Sequence, residues 1–275
     1  MDHILYIKQK IDEISSEIKL CPFDNNDLRI SYLDHMFGVF NINYLQWCAI
    51  YSASAIEKAV VKQADRVIFD AFLSIVKNDG YFTNINNSIN RGLFLDSWST
   101  FEFFLTYICN ELFKEPTKEP TKTKMLEHDY KKVVKILSRH DLSDAELLKL
   151  KDCLVEDHLT HLPVTRKYEK LYSLYKNYYK GNWNEDYEFL AFFGKYRNSM
   201  HTNYIYHGTD KNYNILGVNY GFINGEAIRP NRKLHVADMI NLAVELKNIA
   251  MRLFNSIQYP GLLEYPADQV PETQI

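Results

Sequence analysis

A mostly α-helical body, a helical bundle with one small β-hairpin near residues 213–229, is the architecture this sequence encodes. Turn-formers are scarce, with 10 Gly and 8 Pro in 275 residues, so long helices joined by few loops are expected. The prolines leave two long proline-free stretches, 23–115 and 164–229. Apolar residues, 46% of the chain, recur at steps of three and four along several segments, the spacing of one helical face.

The first helix is expected over Asp2 to Leu20. Ile4, Ile7, Ile11, Ile14 and Ile18 form a single apolar seam, expected to pack on its own domain rather than on a partner helix. An Ala-rich helix is read from about Asn43 to Lys77, stopped by Asn78-Asp79-Gly80. A third follows from about Ser88 to Phe113, with Trp98, Phe101, Phe103, Phe104 and Tyr107. Glu115-Pro116-Thr117-Lys118 is then repeated as Glu119-Pro120-Thr121-Lys122, a tandem copy that reads as an exposed loop over 114–123. Helices are expected at about 124–138, 144–158, 164–179 and 185–200, the last with Glu185 and Asp186 in its first turn. Ile215, Val218, Tyr220, Phe222 and Ile223 among glycines mark the hairpin, with Asn224-Gly225 as its expected type I′ turn. A final helix from His235 to Ile257 carries the stripe Met239, Leu242, Leu246, Ile249 and Leu253. The organisation is therefore an N-terminal helical region (1–85), a helical domain (86–258) and an extended tail (259–275).

Charge and motifs narrow the function. Lys plus Arg total 32 against 35 acids, a net charge of −3, which excludes coating nucleic acid by bulk charge but not a local basic cleft. Cys21, Cys48, Cys109 and Cys153 are isolated, so a zinc ribbon or C-x-x-C redox site is excluded and reduced thiols are expected. Neither a signal peptide nor a membrane span is read, and the expected location is cytoplasmic. The phosphate-binding, dinucleotide, serine-hydrolase and H-E-x-x-H signatures are missing. His158 and His161 share metal-ligand spacing, with His128 or His140 as a conceivable third ligand, but their place before Pro163 fits a helix C-terminus better. No metal and no cofactor are expected.

The informative segment is Gly194-Lys195-Tyr196-Arg197-Asn198-Ser199-Met200-His201. Arg197 and His201 are four apart, so a continuous helix projects them about 40° from one another, on one face. An Arg that grips phosphate beside a His that moves protons near neutral pH is a metal-free RNA-cleaving pair. The bland alternative makes both residues cations that satisfy the free carbonyls ending their helix. Arg29 with His35 and Arg229 with His235 fit a looser R-x5-H, but neither Arg is followed by Asn. Glu102, set between Phe101 and Phe103, is costly to bury unpaired; it either pairs with Arg197, which would orient the guanidinium, or faces water on the polar side of its helix.

With R-N-x-x-H ending the penultimate helix, then an aromatic loop, a hairpin and a final amphipathic helix, the chain resembles the HEPN superfamily over 90–113 and 186–257. That resemblance implies a HEPN-like helical domain at 86–258 and a metal-independent endoribonuclease, a toxin or antiviral-defence effector. Arg197 and His201 would be catalytic and Asn198 supporting. Family members often form homodimers that set two motifs around one cleft, so RNA, a second copy and an antitoxin or defence partner are the implied partners. Other members have lost catalysis and act as binding or regulatory modules. The family motif usually holds four to six residues between Arg and His, and here there are three. Some family toxins carry a Tyr seven residues after the Arg that a partner modifies, and Tyr204 stands at that distance.

Overall fold

The computed structural model describes residues 2–56, 79–114 and 163–265, with isolated positions 67, 70 and 143. Six α-helices lie among the described residues: α1 (Asp2–Leu20), α2 (Leu28–Ile56), α3 (Asp79–Lys114), α4 (Val164–Tyr175), α5 (Trp183–His201) and α6 (Val236–Ser256). Strands β1 (Lys211–Ile215), β2 (Val218–Phe222) and β3 (Arg229–Pro230) form one antiparallel sheet in that order. The fold is mostly helical with a small sheet, as the sequence implies. Among the described residues no helix is long and apolar enough to cross a membrane.

α1 buries its isoleucine seam inward. Ile7, Ile11 and Ile14 join the main core, and the Lys247 ammonium of α6 pairs with Glu17 on the same helix. α2 begins fifteen residues earlier than its apolar pattern implied, at Leu28 rather than about Asn43. Asp27 starts it, accepting the backbone N–H of Arg29 at 2.8 Å. Leu28, Tyr32, Leu33, Met36 and Phe40 are then all buried, so this stretch is apolar on most of its face and lacks a polar stripe to announce it.

α3 also starts early. Asp79 and Gly80, read as a stop, lie inside it, because an Asp beside a helix end serves a first turn as readily as a Gly serves a last one. At 1.5 Å per residue its 36 residues span about 54 Å, the longest strut of the described structure. α4 ends at Tyr175, one turn short of the expected 179. α5 starts at Trp183, capped by Asn182, whose side chain accepts the N–H of Asn184. Asp186 is buried rather than facing solvent in that first turn, and Arg252 of α6 holds it through two hydrogen bonds of 3.0 and 2.6 Å.

The hairpin turn is at Leu216-Gly217, not Asn224-Gly225. Ile215 faces Val218 across two residues with φ of +48° and +77°, the signature of a type I′ turn. Asn224-Gly225 instead turns the chain from β2 back toward the end of α5, with positive φ only at Gly225. There Tyr206 and Glu226 exchange backbone hydrogen bonds with their surroundings, and Ile205 bridges Ala227. Tyr213, Ile215, Val218, Tyr220 and Phe222 form the sheet's buried face.

The expected loose tail does not hold for 260–265. Pro260–Leu262 is a 3-10 turn, Leu262, Leu263 and Tyr265 are buried, and Leu28 N–H donates to the Leu263 carbonyl at 2.7 Å. Three prolines marked this segment as irregular, but its apolar residues fill the space between the start of α2 and α3. The duplicated Glu-Pro-Thr-Lys segment, the 124–158 helices, His128, His140, His158, His161 and Cys153 lie outside the described residues.

Candidate functional site: the Arg197–His201 face of α5

α5 is wedged between α3 and the sheet, and that packing positions the motif. On one side Phe193 stacks on Phe94 at 3.7 Å and on Trp98 at 5.3 Å. On the other, Phe192 meets Tyr220 at 4.6 Å and Tyr213 at 5.7 Å. Gly194 sits at the crossing with α3, where a Cβ would come within 3.2 Å of the Trp98 indole. With two sides buried, one stripe of α5 is left for polar groups, and Arg197, Asn198 and His201 lie on it.

Arg197 is half-buried and His201 is exposed, on consecutive turns of an uninterrupted helix. Their Cβ atoms are therefore about 5–6 Å apart. Arg197 Nη1 donates to Asn198 Oδ1 at 3.1 Å. His201 is the last residue of α5, but among the described residues neither side chain bonds a carbonyl at the helix end. Ser199 O accepts from the N–H groups of Thr202 and Tyr204 and from the Thr202 hydroxyl, and Arg91 of α3 donates to Met200 O at 3.2 Å. Other groups bond these two carbonyls, and His201 stands in the last turn, where a cation complements the helix C-terminus.

Glu102 and Arg197 line one groove, but the expected ion pair between them is not formed. Among the described residues the guanidinium bonds Asn198, its chain neighbour, and the Glu102 carboxylate takes no hydrogen bond. The groove, of about 390 Å³, lies between α3, the first residues of α4 and α5, with Trp98, Thr165, Tyr187 and Lys195 also on its walls. His201 continues the stripe one turn beyond Asn198. Burial pushes the phenols of Tyr196 and Tyr220 up, the latter to about 12, so the wall behind the motif stays neutral. Lys195 Nζ lies 5.7 and 5.6 Å from the rings of Tyr206 and Tyr213.

Asn203 and Tyr204 follow the motif with φ of +54° and +65°. Left-handed backbone at a bulky residue costs on the order of 1–3 kcal/mol. It is held because Tyr204 N–H donates to Ser199 O at 2.6 Å and its carbonyl accepts from Ile228 N–H at 3.1 Å. The Tyr204 ring is half-buried against the core. The two looser R-x5-H pairs serve the fold. Arg29 is gripped by Asp27 and lies 3.2 Å over the Phe23 ring, and His35 Nδ1 bonds Ser31 O. Arg229 pairs with Glu226, and His235 caps α6.

A wider cleft of about 820 Å³ opens at Cys21–Phe23 beside Arg29, Lys247 and Arg252. Each of those three cations is already neutralised, by Asp27, by Glu17, and by Asp186 with Glu245. Lys180, the fourth cation of the lining, is exposed and has no ion pair among the described residues. Among the described residues no group of three His, Cys, Asp or Glu side chains is placed to hold a metal ion.

Sequence reasoning located Arg197, Asn198, His201, Glu102 and Tyr204 but missed Thr165, Tyr187 and Lys195. Tyr187 and Asn198 are eleven residues apart, three full turns, and a helical projection of α5 would have aligned them. Thr165 comes from another helix, and no local signal marks it. Compared with family models, curated proteins and solved structures, the chain matches none.

Proposed function

We propose that this chain is a HEPN-like, metal-independent endoribonuclease, acting in the cytoplasm as a toxin or antiviral-defence effector. The observation that carries the reading is the state of the pair. Arg197 and His201 share one face of a helix, and among the described residues neither side chain is taken by an ion pair or by a carbonyl of the helix end.

In this reading the His201 imidazole takes the proton from a ribose 2′-hydroxyl, and the 2′-oxygen attacks the adjacent phosphorus. Arg197 donates two hydrogen bonds to the non-bridging oxygens as their charge grows. Asn198 holds the guanidinium in place. The 5′-oxygen leaves with a proton from water or from the second motif of a homodimer, giving a 2′,3′-cyclic phosphate and a 5′-hydroxyl. Two motifs in one dimer cleft would supply the local positive field that a net charge of −3 does not.

His201→Ala should lower RNA cleavage by about 10²–10⁴-fold, the usual contribution of a positioned acid–base group. Stability should change by no more than about 0.5 kcal/mol, as for an exposed residue. Arg197→Ala should act likewise. Cleavage assays paired with thermal melts check both. The alternative is a catalytically inactive HEPN-like binding or regulatory module, and the three-residue Arg–His spacing favours it. Cleavage that is absent from the folded wild type decides for that module, and cleavage unchanged in both variants shows that Arg197 and His201 take no part in it.

A further inference from the structure

The geometry points to the groove beside Arg197 as a guanine-reading subsite, with Glu102 as the residue that reads the base; this rests on the ribonuclease reading above. Glu102 is the unusual member of the groove. It lines the groove with Arg197, and among the described residues its carboxylate takes no hydrogen bond. Both of its oxygens are therefore open to a donor from a ligand. A ligand with paired donors is what the position lacks.

Base chemistry selects which ligand. A carboxylate only accepts, and it accepts best from two parallel N–H groups. Guanine presents that pair, N1–H and the N2 amino group, on its Watson–Crick edge. Adenine and cytosine each place a ring acceptor beside a single amino group, and uracil flanks one N–H with two carbonyls. Facing Glu102, each of those three would set an acceptor against the carboxylate. Asn198 adds the complementary donor. Its Oδ1 is taken by Arg197, which turns its amide nitrogen toward other acceptors, such as guanine O6.

The remaining walls fit the same occupant. Tyr187 is half-buried and offers a ring face on which an unstacked base can lie. The volume, about 390 Å³, falls inside the range of about 300–1,000 Å³ typical of small-molecule sites. Arg197 then stands at the mouth of the groove to take the phosphate attached to that guanosine, with His201 one turn further on. The nucleotide whose 2′-hydroxyl is activated is therefore the guanosine itself.

Titration calorimetry of the full chain with guanosine 3′-monophosphate and adenosine 3′-monophosphate tests this without requiring turnover. The guanine nucleotide should bind roughly ten- to a hundredfold more tightly, the discrimination expected of one bidentate base contact. Glu102→Gln, which keeps the shape but replaces one acceptor with a donor, should erase that ratio. Tyr187→Leu should weaken both nucleotides together and leave the ratio in place. Equal binding of the two nucleotides, no binding of either, or a preference that survives in Glu102→Gln overturns the inference. Guanine preference in a protein that cleaves no RNA overturns the ribonuclease reading and leaves the subsite standing. Cleavage without guanine preference does the reverse.

Discussion

Tyr32 is fully buried, and among the described residues its hydroxyl has no hydrogen-bond partner. Its ring is well used, edge-on to Phe104 at 5.6 Å and to Phe254 at 5.3 Å, so that α2, α3 and α6 meet on it. Burial drives the phenol pKa far above its ordinary value, and the group stays neutral. An unsatisfied buried hydroxyl costs about 1–3 kcal/mol, and removing it while keeping the ring should recover much of that. Tyr32→Phe should therefore raise stability by about 1 kcal/mol, a melting shift of roughly 2–4 °C for a chain of this size. A drop in the melting temperature would mean that the hydroxyl is satisfied. Arg252 and Arg197 make the complementary comparison. Arg252 is committed to Asp186 and Glu245, and among the described residues Arg197 keeps only a neighbouring amide. The first arginine holds the fold, and the second is free to hold a ligand.

At the scale of elements, the hairpin turn carries a correctable strain. Leu216 occupies left-handed backbone at φ +48° and is 53% exposed, so nothing about its packing requires leucine. Left-handed conformation costs an L-residue roughly 1–2 kcal/mol, and Asn tolerates it far better. Leu216→Asn creates the Asn-Gly pair that type I′ turns favour and should stabilise the protein by about 1 kcal/mol in a thermal or urea melt. No gain would show that the turn differs from the one described. The same turn explains why the hairpin was legible and its register was not. Alternating apolar residues marked the strands, but Asn224-Gly225 was the louder turn signal and Leu216-Gly217 a nearly silent one. α1 and α6 could be read closely because each is half-exposed and shows an apolar stripe against a polar one. The start of α2 could not, since Leu28 to Phe40 is buried on most sides and Asp27 was its one marker. Within the site, the motif residues Arg197, Asn198 and His201 share five positions of one helix and stood out together. Thr165 comes to the groove from a separate helix, and only the fold makes it a neighbour.

At the scale of the whole molecule, one continuous core runs from Ile7 and Ile14 of α1 to Tyr265 beyond α6. α5 threads this core with α3 on one side and the sheet on the other, so Arg197 and His201 are mounted on a rigid element rather than a loop. Net charge opposes RNA binding, while Arg91, Lys195 and Arg197 gather along this one region. Affinity for RNA should thus be local and salt-sensitive. The central claim is that the α5 face cleaves RNA through the 2′-hydroxyl without a metal. The most direct measurement is mass analysis of RNA fragments made by the purified wild-type protein in EDTA. The account predicts fragments ending in a 2′,3′-cyclic phosphate and a 5′-hydroxyl, and none from folded His201→Ala. Intact RNA after incubation with folded wild-type protein, or fragments bearing a 5′-phosphate, would contradict it.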